Sequence, residues 1–343
     1  MAARCEQLPV GAVDARGLAR RAAVPAALVA AAALALVVAR GPMQTFADAL
    51  DRALHADARW VVAGAIFEAL SFAGYVAVFA LVGGRATRRL GLRESTEITL
   101  GGAAATRLLP TAGAGGAALT LWALRRTGLA PRAAARTLLA FLVLLYGVFL
   151  TAIAVGGLLV ATGAAGVDGP RALAAGPAVG ALLVVAVARG AAAWAPPGDD
   201  GGRMRAGLRL LGAATREALG HVRRPDPRLL GAVAWWGLDL AVLWAMLEAL
   251  GAPPPFAVVV LGYFVGQVGN TIPVPGAVSG GMVGVLVAFS VGADHALAAV
   301  LAYRAVAIWL PAPAGLLALG GLRRTTARWA REDDLAPVPA HAS

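Results

Sequence analysis

Two arginines lie inside long apolar segments of this 343-residue chain, where a charged side chain is costly if the segments cross a membrane. Arg107 precedes a Gly- and Pro-rich stretch, and Arg304 lies about two turns into the last apolar segment. A guanidinium in such a place either binds the phosphate of an anionic ligand or forms a structural ion pair with a carboxylate. Glu68 and Asp239 are the candidate ion-pair partners, and the sequence leaves both roles open.

Two Gly- and Pro-rich stretches, "LPTAGAGG" (109–116) and "NTIPVPGAVSGG" (270–281), interrupt apolar segments. Broken backbone leaves unpaired N–H groups, which suit an anionic headgroup when they line a wet cavity. The alternative is that these stretches only help helices to pack closely. Other polar groups nearby, such as Gln267, are weaker candidates, and the alternative is that they cap broken helices. The predicted substrate-binding residues are Arg107, Pro110, Gly113, Gly115, Gly116, Asn270, Pro273, Pro275, Gly276, Ser279, Tyr303 and Arg304.

The composition predicts an all-α polytopic membrane protein. The chain is 59% hydrophobic and only 14% charged, whereas soluble domains carry about 25% charged residues. Several apolar runs reach the roughly 20 residues that span a bilayer. We predict about six full spans and two re-entrant helical hairpins. The spans are at 22–39, 60–82, 137–162, 172–195, 229–250 and 296–320, and the hairpins are at 95–122 and 256–291.

The basic residues, all of them arginine, predict the orientation of these segments. Arginines are concentrated in 1–21, 85–93, 125–136, 196–228 and 321–331, and they are sparse in the other loops. By the positive-inside rule the arginine-rich segments are cytoplasmic, so both termini lie inside. The net charge of +11 is therefore explained by the membrane, and no nucleic-acid partner is expected.

The two hairpin segments predict an inverted repeat. The first, with 28 residues, is too short for two full spans, and the second, with 36 residues, is marginal for two. Each begins and ends on one side of the membrane, but the two enter from opposite sides. An offset of 164 positions aligns Gly116 with Gly280 and Gly128 with Gly292. The predicted organisation is a cytoplasmic N-terminus (1–21), one transmembrane domain (22–320) and a disordered cytoplasmic tail (321–343). The inverted halves cover about 60–162 and 229–320, separated by the basic loop 196–228.

The basic loop contains a segment, 203–219, in which apolar and basic residues recur at helical spacing on different faces. This pattern predicts an interfacial helix on anionic lipids. A solvated basic loop is the alternative.

The Pro/Gly stretch and the segment "VGADHALAAVLAYRAVAIWLPAPAGLLAL" (291–319) together resemble the lysylphosphatidylglycerol synthase transmembrane region family, also described as a flippase-like domain. The matching positions are Pro275-Gly276, Gly292, Tyr303-Arg304, Trp309, Pro311 and Gly315. The resemblance implies lipid handling, because this region of the synthase moves an aminoacylated lipid between leaflets. The family usually has a glutamate after the second Pro-Gly turn, whereas this chain has Gly281, Met282 and Val283, so that role is not carried over.

These observations favour a non-catalytic membrane protein of the bacterial inner membrane. The four histidines have no metal-ligand spacing, no phosphate loop or nucleophile motif is present, and no cofactor is expected. The leading hypothesis is flippase-like binding and transbilayer movement of a polar, anionic lipid or lipid-linked precursor. The alternative is a non-catalytic partner of a membrane-bound glycosyltransferase or lipid-modifying enzyme.

Overall fold

The computed structural model describes residues 51–108, 114–166, 170–194, 202–224, 226–251, 253–271 and 276–334. Throughout these ranges the regular structure is helical, with short 3₁₀ turns before α7 and after α8. The helices are α1 (Ala58–Ala86), α2 (Leu92–Leu108), α3 (Ala114–Arg126), α4 (Pro131–Ala161), α5 (Arg171–Ala193), α6 (Arg203–Arg223), α7 (Leu230–Ala249), α8 (Phe256–Val268), α9 (Ala277–Ala288), α10 (Ala293–Trp309) and α11 (Pro311–Asp334).

Five segments of the described residues are long and apolar enough to cross a membrane, which confirms the prediction of an all-α polytopic membrane protein. They are α1, α4, α5, α7 with its preceding turn, and α10 continued by α11. The predicted first span, 22–39, lies outside the described residues. At about 1.5 Å per residue, the 29 residues of α1 exceed the hydrocarbon thickness of about 30 Å.

The core of the molecule is an antiparallel pair formed by α1 and α7. Trp60 packs edge-on against Trp244 at one end of the pair, with ring centroids 5.2 Å apart. Gly74 meets Gly231 further along, where a Cβ built on Gly231 would lie only 2.3 Å from the Gly74 carbonyl oxygen. Two glycines therefore permit backbone-to-backbone approach of the two spans.

Two helical hairpins follow these two spans. In the first, α2 and α3 pack antiparallel, and a Cβ on Gly116 would lie 2.4 Å from the Gly102 carbonyl oxygen. In the second, α8 and α9 pack antiparallel, and a Cβ on Gly281 would lie 3.0 Å from Gly266 Cα. Gly102 and Gly266 are related by the predicted offset of 164 positions, but the second partner is Gly281 rather than Gly280, one position later.

The hairpins begin and return at opposite ends of the α1/α7 pair. The last turn of α1 and the first turns of α4 line one common cavity, so the first hairpin starts and finishes at that end. At the other end, the amide of Asp57 donates to the carbonyl of Ala249, and Arg52 forms an ion pair with Asp294 at 2.9 Å. The second hairpin therefore starts and finishes near the beginning of α1.

Each hairpin packs on a helix from the other half of the chain. The first hairpin lies along α11, where a Cβ on Gly315 would meet the Cβ of Ala104 at 2.5 Å. The second hairpin lies along α4, where Phe149 and Phe264 have ring centroids 5.4 Å apart. Each hairpin thus packs on the span that follows the other one, which is the arrangement of an inverted repeat.

The prediction of a disordered tail is wrong for residues 321–334, which continue α11 as a helix. Thr325 and Trp329 are buried there. Because α11 packs on α2, the first hairpin provides the surface that these residues bury, and this contact was not visible in the sequence. Residues 335–343 lie outside the described residues.

The predicted interfacial segment 203–219 is helical, as part of α6. One face of α6 packs on α4 and α5, and a Cβ on Gly212 would lie 2.2 Å from the Ala191 carbonyl oxygen. The apolar and small residues of this helix therefore bury a face against protein.

Candidate functional site

A buried carboxylate, Asp239 on α7, is the centre of a hydrogen-bonded cluster in the second half of the chain. The hydroxyls of Tyr263 on α8 and Tyr303 on α10 both donate to Asp239 Oδ2, the latter at 3.0 Å. The side-chain amide of Gln267 on α8 lies 3.3 Å from the same oxygen and 3.1 Å from the Tyr303 hydroxyl. We call these four residues the Asp239 cluster. It joins the second hairpin to the two spans on either side of it.

The Asp239 cluster is shielded from solvent, since Asp239 is 3% exposed and both tyrosines are 2% exposed or less. A carboxylate in such a place is stable only when donors surround it. Three donors converge on Oδ2, while Oδ1 makes no hydrogen bond with another described residue. The arrangement therefore concentrates negative charge on one oxygen and fixes the positions of three helices around it.

The cluster continues to the tip of the second hairpin through Asn270. The Asn270 side-chain amide donates to Gln267 Oε1 at 2.6 Å, and Asn270 itself is exposed. Gly276, immediately before α9, has a φ of +83°, a left-handed conformation that favours glycine. A continuous hydrogen-bonded path thus runs from the buried carboxylate to the polar side chain before the tip.

The local sequence explains why α8 presents these groups together. Tyr263, Gln267 and Asn270 are spaced four and three positions apart, so they share one helical face. On another face of α8, Gly262 and Gly266 lie against Leu286 and Met282 of α9 and allow the two helices to approach closely. One face of α8 is therefore polar, and a neighbouring face has glycines in place of bulky side chains, so that α9 can pack against it.

The structure brings three of the predicted residues together: Asp239, Tyr303 and Asn270, with Gln267 linking them. Arg304 is half-buried and makes no hydrogen bond or ion pair with another described residue. In particular, the described residues contain no ion pair between Arg304 and Asp239, whose donors are hydroxyls and an amide.

The other predicted residues fall at several places. Glu68 is buried in α1, and Ser279 is half-buried in the first turn of α9. Gly115 and Gly116 begin α3, where Gly116 contacts α2. The predictions that lie outside the described residues are Pro110, Gly113, Pro273, Pro275 and the side chain of Arg107.

The first hairpin has a buried carboxylate of its own, Glu97 on α2. The Thr325 hydroxyl of α11 donates to Glu97 Oε2 at 2.6 Å, and Arg93 Nε donates to Oε1 at 3.1 Å. Further along the same interface, Arg328 donates to Glu94 at 3.0 Å. We call the two contacts that join α2 to α11, Thr325 to Glu97 and Arg328 to Glu94, the Glu97 latch.

Sequence reasoning missed Tyr263 and Glu97 and ranked Gln267 only as a weaker candidate, with a helix cap as the alternative. The i, i+4, i+7 spacing of Tyr263, Gln267 and Asn270 was a signal that could have found the polar face of α8. Glu97 gave no comparable signal, because its position among polar residues near the start of α2 is typical of a solvated helix end.

Comparison with protein families matches residues 23–315 to a family described as the lysylphosphatidylglycerol synthase TM region. The matched region contains both hairpins, the Asp239 cluster and every predicted substrate-binding residue. No curated protein matches the chain.

Proposed function

Because the chain belongs to the lysylphosphatidylglycerol synthase transmembrane-region family, we propose that this integral membrane protein binds a polar, anionic lipid or lipid-linked precursor and moves its headgroup between leaflets. The observation that carries the proposal is the hydrogen-bonded path from buried Asp239 to exposed Asn270 at the tip of the second hairpin. A polar path of this kind inside an apolar helix bundle is costly unless it serves a polar ligand or shapes its site. The proposed role is non-catalytic.

We propose that both hairpins are re-entrant. Their arms have 17, 13, 13 and 12 residues. At 1.5 Å per residue they reach about 18–26 Å, which is less than the hydrocarbon thickness of about 30 Å. The tips would then lie within the membrane, where irregular backbone is tolerated beside a wet cavity. Two hairpins that enter from opposite ends would place one hairpin tip towards each leaflet.

In this proposal Arg304 supplies the charge that attracts a lipid phosphate. It follows Tyr303 directly in α10, and no described carboxylate neutralises it. A guanidinium offers two parallel N–H donors to a phosphate, which a lysine ammonium does not. Asn270 and the turn at Gly276 would contact the uncharged part of the headgroup.

The proposed orientation places the arginine-rich end of the molecule in the cytoplasm of a bacterial cell, with both termini inside. Contacts support this grouping, since Arg85 and Arg136 from two basic segments reach His221 and Glu217 in a third. The opposite end collects the arginine-poor segments, as the Arg52–Asp294 ion pair illustrates. By the positive-inside rule, the end with the excess of arginines is then the cytoplasmic one.

Transport is tested by reconstituting the full chain in vesicles with fluorescent lipids of anionic and zwitterionic headgroups and measuring transbilayer exchange. Pro273→Ala/Pro275→Ala, Asn270→Ala and Arg304→Ala should each slow exchange of the anionic lipid, and Arg304→Lys should restore little of it. Pro177→Ala is the matched control, because Pro177 lies inside α5 and away from the hairpins. Unchanged exchange in the three well-inserted hairpin and arginine variants would refute the proposal.

Orientation is tested by single cysteines in a Cys5→Ser background, since Cys5 is the chain's one cysteine. Cysteines replacing Asp57 and Ala293 should react with an impermeant reagent added to intact cells, and cysteines replacing Arg88 and Arg126 should not. Reaction of the Arg126 position from outside would contradict a first hairpin that returns to the cytoplasmic face.

A further inference from the structure

A cavity of about 610 Å³ lies at the arginine-rich end, between the last turn of α1, the first turns of α4 and the last turns of α6. Its volume falls within the range of about 300–1,000 Å³ that is usual for small-molecule sites. None of its lining residues belongs to α2, α3, α8 or α9 or to the Asp239 cluster. The charged and titratable side chains that line it are Arg85, Arg136, Arg223, Arg224, His221 and Glu217.

The cavity carries an excess of positive charge. Arg136 is neutralised by Glu217, with Nε 2.8 Å from Oε2. The exposed Arg223 and Arg224 form no ion pair with another described residue. The nearby carboxylate of Asp226 accepts two hydrogen bonds from the Arg228 side chain, at 3.0 and 2.8 Å, and also forms a longer ion pair with Arg85, whose Nη2 lies 4.0 Å from Oδ2.

The wall formed by His221 and Arg85 adds to this excess. Arg85 Nη1 lies 2.6 Å from His221 Nδ1, and a guanidinium only donates, so Nδ1 must be the unprotonated nitrogen. The imidazole is therefore neutral, with its proton on Nε2, and the charge of Arg85 is offset only in part, by the Asp226 carboxylate that it shares with Arg228. Burial, and then the charge of Arg85, lower the pKa of His221, in agreement with this neutral form.

We propose that this cavity binds a phosphate group, carried by an anionic lipid headgroup at the membrane surface or by a soluble phosphorylated compound. The arginines come from α1, α4 and α6, so they surround a volume rather than line one solvated face. The N-terminal end of α4 adds favourable polarity, because Ala133 and Arg136 in its first turns line the cavity and no side chain caps the helix.

A different explanation is that these basic residues only complement helix dipoles, since Arg85 ends α1 and Arg223 ends α6. The two explanations differ in what the open volume does. A ligand site is blocked when the cavity is filled without a change of charge, whereas dipole complementation is unaffected.

Gly220 allows that test. It lines the cavity, and a Cβ built on it meets no heavy atom within 4 Å, so a side chain can start from this position and Gly220→Leu should fill part of the open volume. Gly207→Leu is the matched control, because Gly207 lies in the same helix, equally free of neighbours, and outside the cavity. The second pair of variants is Arg223→Gln/Arg224→Gln against Arg203→Gln/Arg205→Gln, which change the charge equally at opposite ends of α6.

The experiment measures binding of dihexanoyl phosphatidylglycerol to the purified full chain, with dihexanoyl phosphatidylcholine as the zwitterionic comparison. Gly220→Leu and Arg223→Gln/Arg224→Gln should each weaken phosphatidylglycerol binding by about tenfold or more, and the two controls by less than about twofold. Competition by inorganic phosphate would show that the phosphate alone is recognised. Failure of phosphate to compete would assign the site to the lipid headgroup.

Three results would overturn the proposal: equal affinity for both lipids, unchanged affinity in Gly220→Leu, or equal losses in the two arginine pairs. Binding is measured without transport, so these outcomes are independent of the proposed movement of lipid at the hairpins.

Discussion

Each hairpin has a close glycine contact between its two arms, but different interactions hold the two hairpins against the rest of the protein. The first hairpin docks on α11 through the Glu97 latch and an ion pair between Arg89 and Asp333, at the arginine-rich end. The second is anchored by the Asp239 cluster, whose members are 8% exposed or less. The first hairpin is therefore held by one buried hydrogen bond, between Thr325 and Glu97, together with ion pairs that reach water, whereas the second is held by several buried hydrogen bonds.

This difference determines how each hairpin responds to change. Interactions between exposed charges are weakened by water and salt, so the docking of the first hairpin is adjustable. Hydrogen bonds in a buried cluster are stronger, and loss of one member leaves the others unsatisfied. From this comparison we expect the second hairpin to be fixed relative to the neighbouring spans and the first hairpin to move more easily relative to α11.

The largest effect is expected from Asp239→Ala. It removes the shared acceptor of Tyr263, Tyr303 and Gln267 and should lower the free energy of unfolding by about 3 kcal/mol, since each stranded buried group costs about 1–3 kcal/mol. Glu97→Ala strands one buried hydroxyl, that of Thr325, and should cost about 1 kcal/mol. Unfolding by denaturing detergent in mixed micelles measures both.

A triple variant sharpens this comparison. Adding Tyr263→Phe and Tyr303→Phe to Asp239→Ala should recover part of the loss, because replacing both partners of a hydrogen bond by apolar groups is nearly neutral. If Glu97→Ala proves as costly as Asp239→Ala, the distinction between an anchor of several buried hydrogen bonds and an anchor of one buried hydrogen bond with exposed ion pairs is wrong.

A smaller loss, of about 1–3 kcal/mol, is expected when the shared glycine contact is overpacked. Gly116→Ala places a Cβ 2.0 Å from Thr106 Oγ1 and 2.4 Å from the Gly102 carbonyl oxygen. Gly266→Ala places it 2.3 Å from Met282 Cγ, a more flexible neighbour, so Gly116→Ala should lower the melting temperature more. Gly284→Ala meets nothing within 4 Å and is the control. Equal melting temperatures in all three would mean that the hairpin arms separate without cost.

The smallest effect concerns acid and the arginine-rich end. Hydrogen bonds from the side chain and backbone of Arg228 lower the pKa of Asp226 from 3.8 to about 2. Because the folded pKa is the lower one, the contribution of Asp226 is complete above pH 3.8 and is lost as the pH falls through about 2. The start of α7 should therefore loosen as the pH falls towards 2.

Hydrogen exchange of residues 226–234, corrected for the intrinsic rate, measures this loosening. The wild type should be better protected than Asp226→Asn above pH 4 and should converge with it towards pH 2. A constant difference across that range would show that the carboxylate is not the stabilising group.

Much of the architecture was predictable from the sequence because it depends on local properties. Apolar run length identified the spans that the structure describes, and the Gly- and Pro-rich interruptions identified the two hairpins. The repeat of Gly102 and Gly266 follows from the predicted offset. Hydropathy and backbone freedom belong to each segment by itself, so neighbours in space are not needed to read them.

The tertiary structure decided which side chains meet. The sequence offered Asp239 as an ion-pair partner for arginine, but the fold surrounds it with groups 24, 28 and 64 positions away on α8 and α10. Likewise, the basic cavity gathers arginines from three separate segments. The partner of a buried polar group is set by helix rotation and packing, which depend on contacts between distant residues rather than on the composition of either helix.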